Sequence, residues 1–309
     1  MNPLVSVIIP NYNHAKYLRQ RINSILEQTY KNIEIIILDD KSTDYSIDVI
    51  KEYESNPLVS KIVLNEQNSG STFIQWNKGF SLAKGDLIWI AESDDFCENT
   101  LLQTLVKEIM KDEKNVLSFC LSQFVNSEGN IIPPILKTKN NKTLSSKQFI
   151  SKYMTSGNKI NNASSAIFKK EALKNISLDY MSYTAAGDRL FWIEIAQKGN
   201  VTIVNQPLNY FRQHNQKVSP RKLLNGTTFI EDFQIYTYLK QSNYINCFYD
   251  FFIKNHYIFK ILQTTFDNDK TQKKVMELWT NTTSIKKILY PKYQLIEYLY
   301  KIINKLRTI

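Results

Sequence analysis

Hydrophobic positions in the first hundred residues fall into short unbroken runs separated by stretches of helical spacing. Residues 4–10 are apolar and β-branched between two prolines, the pattern of a buried strand. Asn13 is placed to cap a helix, and Leu18, Ile22, Ile25 and Leu26 then recur at i, i+4, i+7 and i+8. Residues 33–38 form a second apolar run ending in Asp39-Asp40. Ser42 or Thr43 can cap a helix that turns Ile47, Ile50 and Tyr53 inward. Residues 61–64 predict a third strand, 72–83 a helix and 87–91 a fourth strand.

Such alternation, with strands apolar on both faces, predicts an α/β fold with a mostly parallel sheet flanked by helices. Ligands bind beyond the carboxyl ends of strands in these sheets. Three polar ends converge there: residues 10–13, Asp39-Asp40 and Glu92-Ser93-Asp94-Asp95. Further on, a helix is expected from Leu101 to Ile109, and a hairpin from 116–125 to 131–132 around residues 127–130. Residues 137–147 read as a polar surface loop, 189–197 as a helix and 201–204 as a strand. Beyond residue 225 strand signals fade into helical spacing. The expected division is an α/β domain over 1–224 and a helical region over 225–309.

Composition narrows the class. With 309 residues, 43% apolar and 22% charged, the chain has the make-up of a globular protein. Three cysteines, Cys97, Cys120 and Cys247, are too few and too scattered for a disulfide scaffold and read as reduced thiols. No basic n-region opens the chain and no run nears the roughly 20 apolar residues of a membrane span, so a soluble, cytoplasmic protein is expected.

The net charge of +10 is unevenly distributed. The first hundred residues are acidic, with 9 Lys/Arg against 14 Asp/Glu, and the excess lies beyond them. With no nucleic-acid motif and an acidic first third, no nucleic-acid partner is expected. The basic excess includes the C-terminal segment, where Leu295, Ile296, Leu299, Ile302, Ile303 and Leu306 recur at helical spacing. That helix either rests peripherally on the anionic inner face of a membrane or packs its apolar face on the rest of the chain.

Nucleotide-binding α/β folds usually hold phosphates with a glycine-rich loop, yet the first glycine here is Gly70. A divalent cation held by carboxylates would supply the missing counter-charge, and Glu92, Asp94 and Asp95 fit that need. The competing reading of these residues is a simple helix cap.

Several segments in order resemble family 2 glycosyltransferases of GT-A fold. They are residues 5–13, Ser24-Ile25-Leu26-Glu27-Gln28-Thr29-Tyr30, residues 35–40 with Ser42 and Asp44, Asn68-x-Gly70, Trp76-Asn77-Lys78-Gly79, Ala83-Lys84-Gly85-Asp86 and Ser93-Asp94-Asp95. Weaker likeness continues through Gly187-Asp188-Arg189-Leu190-Phe191-Trp192 and Tyr210-Phe211-Arg212-Gln213-His214.

The resemblance implies a Rossmann-like GT-A domain, with residues 1–100 binding the nucleotide and 101–224 facing the acceptor. It implies inverting transfer of a hexosyl or N-acetylhexosaminyl group from a nucleotide sugar, expected to be UDP-linked, with Mn²⁺ or Mg²⁺. The acceptor would be a saccharide or a lipid-linked hydroxyl in surface polysaccharide synthesis. It places Pro10 and Tyr12 at the base, Asp40 on the base edge, Asp94 toward the ribose, Asp95 and His214 toward the metal, and Asp188 as general base. Lys78 and Arg212 are phosphate candidates.

Two residues depart from the pattern: Gly187 where many relatives carry an acidic residue, and Glu92 where many carry Asp. Trp76 and Trp89 read as core, His14 and His256 as solvated. A nucleotidyltransferase would need a glycine-rich loop where Pro10-Asn11-Tyr12-Asn13-His14 stands. A non-catalytic nucleotide-sugar binder would not need Asp94, Asp95 and Asp188 all intact.

Overall fold

The computed structural model describes residues 2–214, 219–280 and 290–308. β1 (Val5–Asn11), α1 (Ala15–Leu26), β2 (Ile33–Asp39), α2 (Ser46–Lys51), β3 (Val59–Leu64), α3 (Thr72–Leu82) and β4 (Leu87–Ile90) alternate as the apolar runs predict. Then follow β5 (Phe96–Cys97), α4 (Leu101–Ile109), β6 (Asn115–Val125), β7 (Lys142–Leu144), α5 (Ser146–Phe149), β8 (Ala166–Lys169), α6 (Gly187–Ala196) and β9 (Asn200–Arg212). Among the described residues, the chain then continues as α7 (Ser219–Leu224), α8 (Thr227–Gln241), α9 (Cys247–Gln263), α10 (Asp269–Thr280) and α11 (Tyr290–Thr308).

The sheet runs β3-β2-β1-β4-β8-β6-β9-β5, with β7 on β9. It is parallel from β3 to β4, after which β8 enters antiparallel to both β4 and β6. All of β1 is buried because both its faces are covered. Val5, Val7 and Ile9 pack with Leu18, Ile22 and Ile25 of α1 and with α4. Ile8 points the other way, and a Cβ on Gly79 of α3 would stand 2.4 Å from its Cγ2, so that contact admits only glycine. The helices thereby fix the carboxyl ends of β1, β2 and β4 side by side.

Some local expectations are corrected. Asn13 does not cap α1: it sits at φ 56°, and its Oδ1 accepts Thr43 N at 2.7 Å, while Asp44 takes Ala15 N at 2.9 Å. Ser42 is drawn to Asp39 and does not cap α2, where Asp44 accepts Ser46 N instead. The turn at 127–130 closes on a single bridge, Val125 to Ile131, and β6 spends its edges on β8 and β9. Within the expected loop 137–147, three residues add a strand to β9.

The chain forms two compact units and does not divide by a single cut after residue 224. One comprises Met1–Ser146, Ile160–Met181 and Glu194–Asn215 and contains the whole sheet; the other comprises Lys147–Lys159, Ser182–Ile193 and Gln216–Ile309. In the second, Tyr257 of α9 stacks on Trp279 of α10 with centroids 4.1 Å apart. His256, expected in solvent, lies 2.7 Å from Glu297 of α11, and Ile296 and Tyr300 of that helix are buried. Packing therefore holds one face of α11, while Leu295, Tyr298, Leu299 and Ile302 stay exposed. Lys286 and Lys287 of the basic segment lie outside the described residues. Among the described residues no helix is long and apolar enough to cross a membrane.

Candidate active site

Two clusters form at the carboxyl ends of the parallel strands. The first follows β2. Asp39 ties this end to β1, accepting Asn11 Nδ2 at 2.8 Å and Ser42 Oγ at 2.6 Å. Asp40 is turned to the next loop, where Asn65 Nδ2, Ser69 N and Gln75 Nε2 donate to Oδ1 and Ser69 Oγ donates to Oδ2, all within 2.7–2.9 Å. Lys78 reaches the same group, donating to Asn65 Oδ1 at 2.6 Å. Pro10 is buried in β1, and Tyr12, just beyond the strand, is 47% exposed.

The second cluster follows β4 and separates its three carboxylates sharply. Glu92 turns inward to accept Trp76 Nε1 at 2.9 Å, and burial raises its pKa to about 8. Asp95 is wholly buried. Its Oδ2 accepts Asn162 Nδ2 and Ser164 Oγ at 2.7 Å each, and its Oδ1 accepts Arg212 N at 3.0 Å. Burial, with Asp94 alongside, raises its pKa to about 7. Asp94 faces the other way, its Oδ2 2.9 Å from His214 Nε2. Burial works against its charge, yet the His214 hydrogen bond and the two nearby imidazoles hold its pKa below the usual range.

His14, Asp94 and His214 together offer three ligand atoms within 4.8 Å of one another. His14 is therefore not the solvated residue its polar surroundings in the sequence suggest. Its Nδ1 lies 2.8 Å from Ser93 Oγ, and burial lowers its pKa, favouring the neutral ring that can ligate. Asp95, expected toward a metal, is anchored in the protein, and Asp94, expected toward the ribose, is the carboxylate beside the imidazoles.

Arg212 also differs from expectation. It is 1% exposed, with Nε on Asp94 O, Nη1 on Asn126 O and Ser127 O, Nη2 on Gln20 Oε1, and its plane between Tyr17 and Phe96. It clamps the loop that carries Asp94, with four of its five N–H donors engaged in these contacts. Arg21, which nothing in the sequence marks, is wholly buried over the Trp89 ring and acts as a positive charge on Glu92 and Asp95.

Asp188 belongs to the second unit, in the first turn of α6. Asn158 Nδ2 and Arg189 N each donate to it at 2.8 Å, and burial raises its pKa to about 6. Arg189 is held by Asp232, by Tyr257 OH at 3.0 Å and by Met154 O at 2.8 Å.

The model of glycosyl transferase family 2 matches residues 6–177, more than half of the chain. The chain belongs to this family. Within the family, it is 36% identical over 130 residues to glycosyltransferase GlyG of Streptococcus pneumoniae serotype 4, covering 42% of this chain and 43% of that one. It is also 36% identical over 131 residues to the chondroitin synthase of Pasteurella multocida, 42% of this chain but 13% of that enzyme. The match thus spans less than half the length of either relative.

Solved structures agree in fold. Staphylococcus aureus TarS 1–349 in complex with UDP-GlcNAc aligns over 96% of this chain and 80% of its own, with a TM-score of 0.58 and 15% identity. The mannosyltransferase PcManGT of Pyrobaculum calidifontis, in complex with GDP-Man and Mn²⁺, aligns over all of this chain and 85% of its own, with a TM-score of 0.55 and 16% identity. The architecture is accordingly that of GT-A glycosyltransferases. The family match takes in both strand-end clusters except His214; Asp188 lies beyond it.

Proposed function

We propose that the protein is an inverting glycosyltransferase that moves a sugar from a nucleoside diphosphate, UDP-linked, to a hydroxyl of a saccharide or lipid-linked acceptor in surface polysaccharide or glycan synthesis. The observation that carries this reading is the His14–Asp94–His214 cluster beyond the end of β4 in a family 2 fold, with the Asp40 cluster at the end of β2. The chondroitin synthase relative and the UDP-GlcNAc held by TarS support the substrate class.

The residues fit a divalent cation. Two ligands in neighbouring octahedral positions at about 2.1 Å from a metal stand about 3 Å apart. Asp94 Oδ2 and His214 Nε2 are separated by 2.9 Å. Mn²⁺ suits two imidazoles and a carboxylate, and PcManGT holds Mn²⁺. His14, Asp94 and His214 would hold such a cation, and it would supply charge stabilisation for the leaving diphosphate. Tyr12 offers its exposed ring to the nucleobase and Asp40 its Oδ2 to the base edge, and Lys78 reaches the same loop through Asn65. Asp188 accepts the proton of the acceptor hydroxyl, whose own pKa lies far above 7, as attack proceeds from the face opposite the diphosphate.

A panel of nucleotide sugars scored for donor hydrolysis with Mn²⁺ or Mg²⁺ tests the activity; no turnover or binding of any donor would sink it. Calorimetry tests the pocket. Asp40→Ala is expected to weaken UDP binding about tenfold, the worth of one charged hydrogen bond. Equal affinity in parent and variant would remove Asp40 from the base site.

The exposed face of α11 supports peripheral contact with anionic lipid. Leu295, Leu299 and Ile302 form a stripe flanked by Lys301 and Lys305, and Phe248 and Phe251 of α9 are also exposed. Leu299→Glu should lower co-sedimentation with phosphatidylglycerol vesicles severalfold while leaving the packed Ile296 and Tyr300 in place. Unchanged partitioning would refute the contact.

A further inference from the structure

We propose that Glu231, on helix α8 of the C-terminal region, is the positioning residue for the base Asp188. The inference rests on the proposed role of Asp188 and adds to it a residue more than forty positions away in the chain.

The turn that leads into α6 reads Thr184-Ala185-Ala186-Gly187 and contains no acidic side chain. Buried backbone N–H groups in the turn ahead of a helix must each find an acceptor. Here Glu231 supplies both oxygens. Its Oε1 accepts Thr184 N at 2.8 Å and Thr184 Oγ1 at 3.1 Å; its Oε2 accepts Ala185 N at 2.8 Å and Ala186 N at 2.7 Å. Three successive amides and a hydroxyl thus converge on one carboxylate that is 7% exposed.

The next residue along α8, Asp232, pairs with Arg189, the residue that follows Asp188. Consecutive carboxylates of one helix therefore fix the backbone ahead of Asp188 and the side chain behind it. Burying a carboxylate is costly unless it is fully hydrogen-bonded, and this one meets that condition through a single turn.

The consequence for catalysis follows from tolerance. A general base must stand within hydrogen-bond reach of the proton it takes, and a misplacement of about 1 Å costs on the order of 100-fold. Gly187 cannot brace the turn with a side chain, so the brace comes from α8. Glu231 touches neither substrate nor Asp188 itself in this role; it acts through the turn.

The test compares Glu231→Gln, Glu231→Ala and Asp188→Asn in the full chain, with kcat expressed per UDP-binding site so that an unfolded fraction cannot imitate the effect. The amide of Glu231→Gln must turn an NH₂ toward backbone N–H donors. Its kcat is expected to fall about 10–100-fold while the donor KM and UDP affinity stay within about twofold. Glu231→Ala should fall at least as far. Parent kcat in Glu231→Gln alongside an inactive Asp188→Asn overturns the positioning role and leaves the base in place. Parent kcat in Asp188→Asn overturns the base, and the positioning role with it. A matched rise in donor KM with unchanged kcat would assign Glu231 to donor binding and also overturn the proposal.

Discussion

Asp188→Asn is expected to cut sugar transfer about 10²–10⁴-fold while UDP and Mn²⁺ bind within twofold of the parent. A carboxamide matches the carboxylate in size; its one oxygen can still accept Arg189 N, and its NH₂ can donate to Asn158 once that amide turns over, so the fold should stand. What it lacks is a site for the acceptor proton. The pH profile gives an independent check. Burial raises the Asp188 pKa to about 6; Asn158, the Arg189 amide and the Arg189 charge pull it down, and Asp232 pushes it up. A base works deprotonated, so the parent rate should be near its plateau at pH 7–8. It should fall about tenfold per unit below pH 6, with donor saturating throughout. Transfer by Asp188→Asn at the parent rate, or a flat parent profile from pH 7 to pH 5, would remove Asp188 from the chemistry.

The first half of the fold was legible because its physics is local. Short, largely apolar and β-branched runs at 5–9, 33–38 and 87–90 have strand length and read as strands buried on both faces, and the intervening helices declare their inward residues by spacing. β9 shows the limit. Residues 201–204 are apolar, but the strand continues through Asn205, Gln206, Pro207 and Asn209 to Arg212, because β6, β5 and β7 pair along it. Tertiary pairing there outweighs a poor strand sequence.

The site divides in the same way. Ordered motifs announced the acidic strand ends, yet no local rule says which of two adjacent aspartates turns outward. That choice is made by Asn162 and Ser164, 67 and 69 residues further on, which take Asp95 inside. His14 was hidden for the same reason: its partner His214 arrives at the end of β9. Arg212 sits in a matched motif and carries the right charge for a phosphate, but acceptors from three other segments take four of its five N–H donors. Glu231 left no trace, since its role is defined by backbone amides that any sequence possesses.

The metal role proposed for Asp94 has a sharp consequence. Asp94→Ala is expected to weaken Mn²⁺ binding by at least about 100-fold, since even outer partners of metal ligands cost 10–100-fold, and to abolish metal-dependent turnover. His14→Ala should weaken Mn²⁺ more than Mg²⁺, because imidazole favours the softer transition ion, and so narrow the preference between the two metals. Asp95→Ala should act differently. It strips the acceptor from Asn162, Ser164 and the Arg212 amide inside the protein, where each unsatisfied buried group costs about 1–3 kcal/mol, so its first effect is a lower melting temperature. Calorimetry and Mn²⁺ electron paramagnetic resonance without donor, beside thermal melts, separate the two residues without any assay of activity. Parent Mn²⁺ affinity in a folded Asp94→Ala protein, or its loss in an Asp95→Ala protein that melts at the parent temperature, would restore Asp95 as the ligand and set the His14–Asp94–His214 cluster aside.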